Sequence, residues 1–157
     1  GPDNMKEFKG HMSSQTIGHD KLNQLRHVQY FKTPENIRAH MAALAEVLRP
    51  KVDMVLNRLE EELEGRGLAG WSRPKGGYFI SLDTLAGCAK RTVQLAKEAG
   101  VTLTGAGATY PYKRDPQDRN IRIAPTYPTP EELKSAMDIF ILCVKIAGIE
   151  SVVNQGN

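Results

Sequence analysis

The stretch from Gly100 to Pro128, GVTLTGAGATYPYKRDPQDRNIRIAPTYP, holds the residue best suited to ligand chemistry. Arg122 sits there between Ile121 and Ile123 in a short apolar run. Strand alternation puts the two isoleucines on one face and Arg122 with Ala124 on the other. If the isoleucines face a core, the arginine points into solvent or a cleft. The small residues beside it, Ala124 and Pro125, leave room for a ligand. Its planar fork of donors matches a carboxylate in bidentate fashion. The alternative is a surface arginine paired with a neighbouring acid. The loop charges Lys113, Arg114, Asp115, Asp118 and Arg119 read as solvated ion pairs of little energetic weight.

Other chemistries fail on spacing. Gly105-Ala106-Gly107 lacks the Lys-Ser/Thr of a P-loop and does not open a helix as a dinucleotide fingerprint must. It reads as a turn that needs positive φ or a close backbone approach. His11, His19, His27 and His40 lack metal-ligand spacing, and no cysteine pair assists them, so no metal is expected. Neither a GxSxG elbow nor a Cys–His nucleophile context is present. Lys75-Gly76-Gly77-Tyr78-Phe79-Ile80 has a superficial likeness to an RNA-recognition strand. The aromatic required at Gly77 is missing, however, and an aromatic content of 6% leaves few stacking surfaces. The residues by themselves supply a binding element without catalytic machinery.

A chain of 157 residues accommodates one domain, or one and a fragment. Its 40% hydrophobic content supports a core, and its 25% charged content is ordinary for a globular protein. The net charge of +3 is small and the charges are interspersed, which points to neither nucleic acid nor a membrane surface. No apolar run approaches the roughly 20 residues that span a bilayer, and no secretory signal is apparent. Cys88 and Cys143 are expected as buried free thiols in a reducing cytoplasm. The opening GPDNMKEFKGHM is compatible with cloning remnants, at Gly1-Pro2 and Gly10-His11-Met12, or with native sequence. With no initiator methionine before it, the chain is expected to be processed or part of something longer.

The positioning elements follow from punctuation and period. Residues 13 to 32 form a polar lead-in with a short amphipathic stretch at Leu22, Leu25 and Val28. Thr33-Pro34-Glu35 starts a long helix. Its apolar stripe is Ile37, Met41, Leu44, Leu48, Val52, Val55, Leu59 and Leu63. Pro50 should kink or divide it near Leu48. Glu60-Glu61-Glu62 reads as a solvated face, and Gly65 and Gly67 end the helix. A strand is expected over Tyr78 to Leu82, entered through Lys75-Gly76-Gly77. A helix follows from about Gly87 to Gly100, with Cys88, Thr92, Leu95 and Ala99 on one side. Strands are expected at Val101 to Thr104 and at Asn120 to Ala124. The capping box Thr129-Pro130-Glu131-Glu132 opens a last helix that buries Leu133, Met137, Phe140, Val144 and Ala147. This order implies an α/β two-layer unit, a long kinked helix plus a small sheet covered by helices.

Taken in order, Trp71-Ser72-Arg73-Pro74-Lys75-Gly76-Gly77-Tyr78-Phe79-Ile80, Gly100-Val101, Gly107-Ala108-Thr109-Tyr110 and Asn120-Ile121-Arg122-Ile123-Ala124 form a familiar series. With Gln24-Leu25-Arg26-His27, they resemble the C-terminal part of class I aminotransferases of the fold-type I, pyridoxal-phosphate group. The similarity is greatest to the aspartate aminotransferase-like branch, which also holds alanine-type enzymes, and it covers nearly the whole chain. It implies the α+β small domain of such an enzyme over residues 33–157. Residues 1–32 would lead in from a large domain, with residues 1–3 the candidates for vector sequence. It further implies that Arg122 holds the substrate α-carboxylate and that the strand Gly77 to Phe79 lines the site, with Gly77 and Tyr78 as substrate-binding residues.

The chain departs from the family pattern in two places. Gly105 stands where proline is frequent, which loosens the turn without touching Arg122. More decisively, the Schiff-base lysine in its Ser-x-x-Lys-like setting is absent, and Lys90, after Gly87-Cys88-Ala89, lies on a helix face. The resemblance therefore implies an inactive fragment without catalytic or cofactor-binding residues of its own. Its parent would be a cytoplasmic, homodimeric enzyme that uses pyridoxal phosphate to move amino groups between amino acids and 2-oxo acids. Two other functions remain open at this level: a stand-alone regulatory domain that senses small carboxylates through Arg122, and an oligomerisation module built on the long helix.

Overall fold

Proline at the first turn and Asp3 near the positive end of the helix dipole favour α1 (Pro2–Gln15), which buries none of its residues. Residue pattern alone assigns no element to this stretch. Asp20 caps α2 (Lys21–Phe31) by accepting from the Asn23 amide at 3.0 Å. Tyr30, Phe31 and His40 meet edge-to-face, with ring centroids 5.0–5.8 Å apart. The computed structural model describes residues 1–16 and 18–155, in two units, Gly1–Leu44 and Ala45–Asn157. Ile17, in the expected lead-in, and Gly156 and Asn157, at the end of the expected small domain, lie outside the described residues.

Helix α3 (Pro34–Leu63) runs through Pro50 without division, contrary to one of the two expected outcomes. The proline removes the hydrogen bond to the Glu46 carbonyl, but both residues are exposed, so water can satisfy that group. In the larger unit only the last turns of the stripe reach the core, through Val55, Leu59 and Leu63.

The sheet holds three antiparallel strands in the order β1-β2-β3: Ala69–Trp71, Ile80–Thr84 and Asn120–Ile123. Two expectations are corrected here. Val101 to Thr104 is not a strand, because its first residue is used to close α4 (Ala89–Glu98). The Gly100 amide donates to Lys97 O and the Val101 amide to Ala96 O, both in a C-terminal Schellman-type cap. That cap needs the left-handed φ of +89° that Gly100 adopts. The missing strand is instead β1, paired Ala69 with Thr84 and Trp71 with Leu82. The central strand also starts two residues late, at Ile80, where its ladder to Ile123 begins.

The core lies between this sheet and its helices. Ile80, Leu82, Ile121 and Ile123 pack with Val55, Leu59 and Leu63 of α3 and with Leu133, Met137, Phe140 and Val144 of α5 (Pro130–Gln155). Among the described residues, then, the chain is α+β, helix-rich around a small antiparallel sheet. The capping box forms as expected: the Thr129 amide donates to Glu132 Oε2 at 2.9 Å, and the Glu132 amide to Thr129 Oγ1 at 3.3 Å. Cys88 and Cys143 are buried free thiols. Glu60, Glu61 and Glu62 are not merely solvated. They pair with Arg73, Arg58 and Lys145 respectively, and Arg58 also reaches Asp138 of α5 at 2.6 Å.

The loop before β3, read as solvated charge, is organised by Asp115. Its carboxylate accepts from the amides of Gln117, Arg119 and Asn120 at 2.7–3.0 Å. These bonds hold a turn in which Tyr112, Lys113 and Asp118 all adopt positive φ. Gly107 closes it at φ +73°, where a Cβ would sit 3.2 Å from Asp115 Cβ and from Lys113 O. Desolvation pushes the Asp115 carboxyl up, yet the amide donors together pull it below its usual 3.8.

Two predictions follow from this packing. Phe140→Ala should cost this chain about 3–5 kcal/mol in urea denaturation, whereas Leu142→Ala, 58% exposed on the same helix, should cost under about 0.5. A depressed folded pKa at Asp115 means that its stabilisation is complete above the unfolded value and is lost as pH falls through the folded one. Denaturation midpoints should therefore drop below about pH 3.8, and Asp115→Asn should flatten that acid limb. An unaltered limb in the variant would show that this carboxylate is not responsible.

Candidate functional site

The β2–β3 register decides which side chains leave the core. Ile80 faces Ile123 and Leu82 faces Ile121, so the alternate pairs Ser81–Arg122 and Asp83–Asn120 occupy the opposite, outer face. Asn120 ties that face together. Its Nδ2 donates to Ser81 Oγ at 2.9 Å and to Asp83 Oδ1 at 2.8 Å, while the Thr109 hydroxyl donates to its Oδ1. Ser81 is held in turn, because its amide donates to Ser72 Oγ at 3.0 Å. The scaffold under Arg122 is thus a polar network centred on Asn120, whose side chain engages the Asp83 carboxylate and whose amide engages that of Asp115.

Arg122 itself is half-buried. Its Nη2 donates to Thr104 Oγ1 at 3.3 Å, and its Cζ stands 4.4 Å from the centroid of the Phe79 ring. Nε is buried and donates to nothing. Among the described residues no carboxylate lies within ion-pairing distance of this guanidinium, so the alternative of a surface arginine paired with an acid is not what forms. The contrast within the chain is instructive. Arg58 is bonded to Asp138 and Glu61, Arg73 to Glu60 and Glu64, and Arg91 to Glu150 through two bonds of 2.7 and 2.8 Å. Those carboxylates hold the three guanidinium groups even more firmly protonated than usual, chiefly through the hydrogen bonds themselves. A free fork of donors beside an aromatic face can receive an incoming carboxylate; a neutralised one cannot.

The other expected site residues are placed differently. Gly77 and Tyr78 lie in the bend before β2 rather than in a strand, Gly77 with φ +91° and Tyr78 53% exposed. Among the described residues, neither makes a hydrogen bond or ring contact with Arg122. The residue that does is Phe79, one position on. Sequence pattern places it in the same segment, but only the fold shows that its ring meets the guanidinium. Thr104 was beyond pattern reading, because its segment was expected to be a strand.

No group of three or more His, Cys, Asp or Glu could hold a metal among the described residues. His27 Nδ1 is within 2.7 Å of Asn23 O, and His40 packs on Tyr30 and Phe31, so both serve the smaller unit's structure. A shallow groove of about 640 Å³ lies between Gly100-Val101 and the first turns of α5. Its lining includes Glu131 and Glu132 and no cation, so it does not suit a carboxylate, and Arg122, Phe79 and Thr104 take no part in it. No helix among the described residues is long and apolar enough to cross a membrane.

Comparison with known proteins extends this picture. The family model for aspartate amino-transferase matches residues 1–156. The aspartate aminotransferase of Corynebacterium glutamicum is 47% identical over 152 residues, which is 97% of this chain and 35% of that protein. The crystal structure of an aspartate transaminase from C. glutamicum superimposes with a TM-score of 0.84 at 47% identity, covering 94% of this chain and 35% of that one. An α-aminoadipate aminotransferase from Thermus thermophilus, solved with N-(5′-phosphopyridoxyl)-L-leucine, shares the fold, with a TM-score of 0.72 at 18% identity over 94% of this chain and 36% of that one. This chain therefore spans about a third of the length of the relatives it matches. With the match extending over residues 1–156, the chain belongs to the aspartate aminotransferase family.

Proposed function

We propose that this chain is the C-terminal, small-domain part of a pyridoxal-phosphate-dependent aminotransferase of the aspartate or alanine type. In it, Arg122 holds the α-carboxylate of the amino acid and of the 2-oxo acid. The observation that carries this reading is the guanidinium without an ion pair among the described residues: a half-buried cation on the outer sheet face that meets the Thr104 hydroxyl and the Phe79 ring. Both half-reactions present the same α-carboxylate, so one fork serves both and fixes the orientation of Cα for the chemistry. Gly77 and Tyr78, in the exposed bend beside Phe79, would line the approach.

Pyridoxal phosphate supplies the electron sink in such enzymes, but the described residues of this chain do not fit its site. Lys51 donates to the carbonyls of Thr126 and Pro128 at 2.9 and 2.6 Å, and Lys145 is paired with Glu62. Lys90 is an exposed residue whose nearest acid, Asp118, is 4.0 Å away. None is a buried amine set between an acid and a phosphate cradle. We assign the cofactor and its lysine to a large domain of the same polypeptide. Residues 1–32 would lead in from it, and residues 33–157 would form the small domain. The intact enzyme would be cytoplasmic and homodimeric, and this chain alone inactive. The apolar ridge of α5 at Leu142, Ile146, Ile149 and Val153 stays exposed here, as expected of a part separated from its whole.

Hydrogen bonds to charged groups contribute about 1.5–3 kcal/mol each. In the intact enzyme Arg122→Ala should therefore lower kcat/KM roughly 10- to 150-fold for every amino donor, and Arg122→Lys should recover only part of the loss because it lacks the fork. Wild-type specificity constants in the alanine variant would sink the assignment. Titrating this chain with pyridoxal phosphate should give no saturable visible band and no single lysine trapped by borohydride. A stoichiometric adduct at one lysine would move the cofactor site into this chain.

A further inference from the structure

We propose that Phe79 is a positioning residue for Arg122, an aromatic platform that restrains the guanidinium without consuming its donors. The inference rests on the carboxylate-binding reading of Arg122 and deepens it. An arginine side chain has many rotamers to lose, and a free fork must be held in place to bind a ligand predictably. At Arg58, Arg73 and Arg91 the holding is done by acids. Arg73 shows the difference: it lies over Trp71 at 5.8 Å, but Glu60 and Glu64 also bind its N–H groups. Such a pairing orients the cation and at the same time uses up its donors.

At Arg122 the geometry separates the two effects. All five N–H groups of a guanidinium lie in its plane, whereas the Phe79 ring, with Cζ over it at 4.4 Å, attracts the cation through its π face. The ring therefore restrains the guanidinium without accepting a conventional hydrogen bond from it. Nε is buried and Nη2 donates to Thr104, which leaves Nη1 as the nitrogen neither buried nor donating to an acceptor among the described residues. The acceptor the guanidinium has among the described residues, Thr104 Oγ1, is neutral and at 3.3 Å, so the positive charge is not cancelled. Phe79 also stands where a purely structural phenylalanine would not. It is 49% exposed while the next residue, Ile80, is fully buried. The core gains little from it, and the guanidinium gains a face.

The test is a double-mutant cycle in the intact aminotransferase, with Phe79→Leu, Arg122→Ala and both together. Loss of a cation–π contact of 0.5–2 kcal/mol should raise KM for amino acid and 2-oxo acid roughly 2- to 30-fold. Phe79→Tyr and Phe79→Trp, which keep a π face, should stay near wild type. In the Arg122→Ala background, Phe79→Leu should add almost nothing, because the group it positions is gone. Phe79→Ile replaces the leucine variant if that one fails to fold. Additive losses in the cycle, or equal losses in Leu and Tyr variants, would overturn the platform while leaving Arg122 as the carboxylate site. An Arg122→Ala enzyme with unchanged kinetics would instead remove the carboxylate reading, and the platform with it.

Discussion

The antiparallel register of β2 and β3 governs where every polar group of the site can be. Ile80 opposite Ile123 and Leu82 opposite Ile121 commit one face of both strands to the core. Because side chains alternate, a slip of one residue would bury Arg122 and Ser81 and expose the isoleucines. The desolvation cost of an unpaired buried guanidinium excludes that alternative. Four aliphatic side chains thus fix the outward direction of the arginine more firmly than any contact the arginine makes. The Asp115 loop and the Asn120 network reinforce the same register from the outer side, by holding the first residue of β3.

The distribution of acids matters as much as the position of the arginine. The chain has 18 acidic residues against 21 lysines and arginines, so composition does not say which guanidinium stays free. Five acids around the core layer are committed elsewhere. Asp138, Glu62 and Glu150 link α3 and α4 to α5 through Arg58, Lys145 and Arg91, while Glu60 ties α3 to Arg73 after β1 and Glu61 pairs with Arg58 within α3. Exposed pairs of this kind add little stability. Their arrangement nonetheless leaves Arg122 with a ring and a hydroxyl as its neighbours, and with its charge available.

Helix α5 shows what this part of the protein leaves unresolved energetically. One side buries Leu133, Met137, Phe140 and Val144, and the charges on its flanks are consumed by α3 and α4. A further ridge of Leu142, Ile146, Ile149 and Val153 faces outward. A helix that is apolar nearly all round belongs in an interior. The relatives it matches are nearly three times longer than this chain.

Much of this was legible in the residues, and the unreadable part has a common cause. Local pattern alone determined the long helix from Pro34, the Thr129 capping box, the buried stripe of α5 and the alternation that turns Arg122 away from Ile121 and Ile123. Each depends on neighbours within a turn or two, where spacing and chemistry act directly. Tertiary structure decided the rest. It recruited Ala69–Trp71 as a strand, because a three-residue segment containing glycine gains its ladder only from a partner brought by the fold. It denied a strand to Val101–Thr104, because closing α4 took the Val101 amide. It also chose Phe79 over Tyr78 as the neighbour of Arg122, and kept acids away from that fork. Which groups meet across the sheet, and which charges are already spent, depends on contacts between residues far apart in the chain. No short-range pattern encodes them.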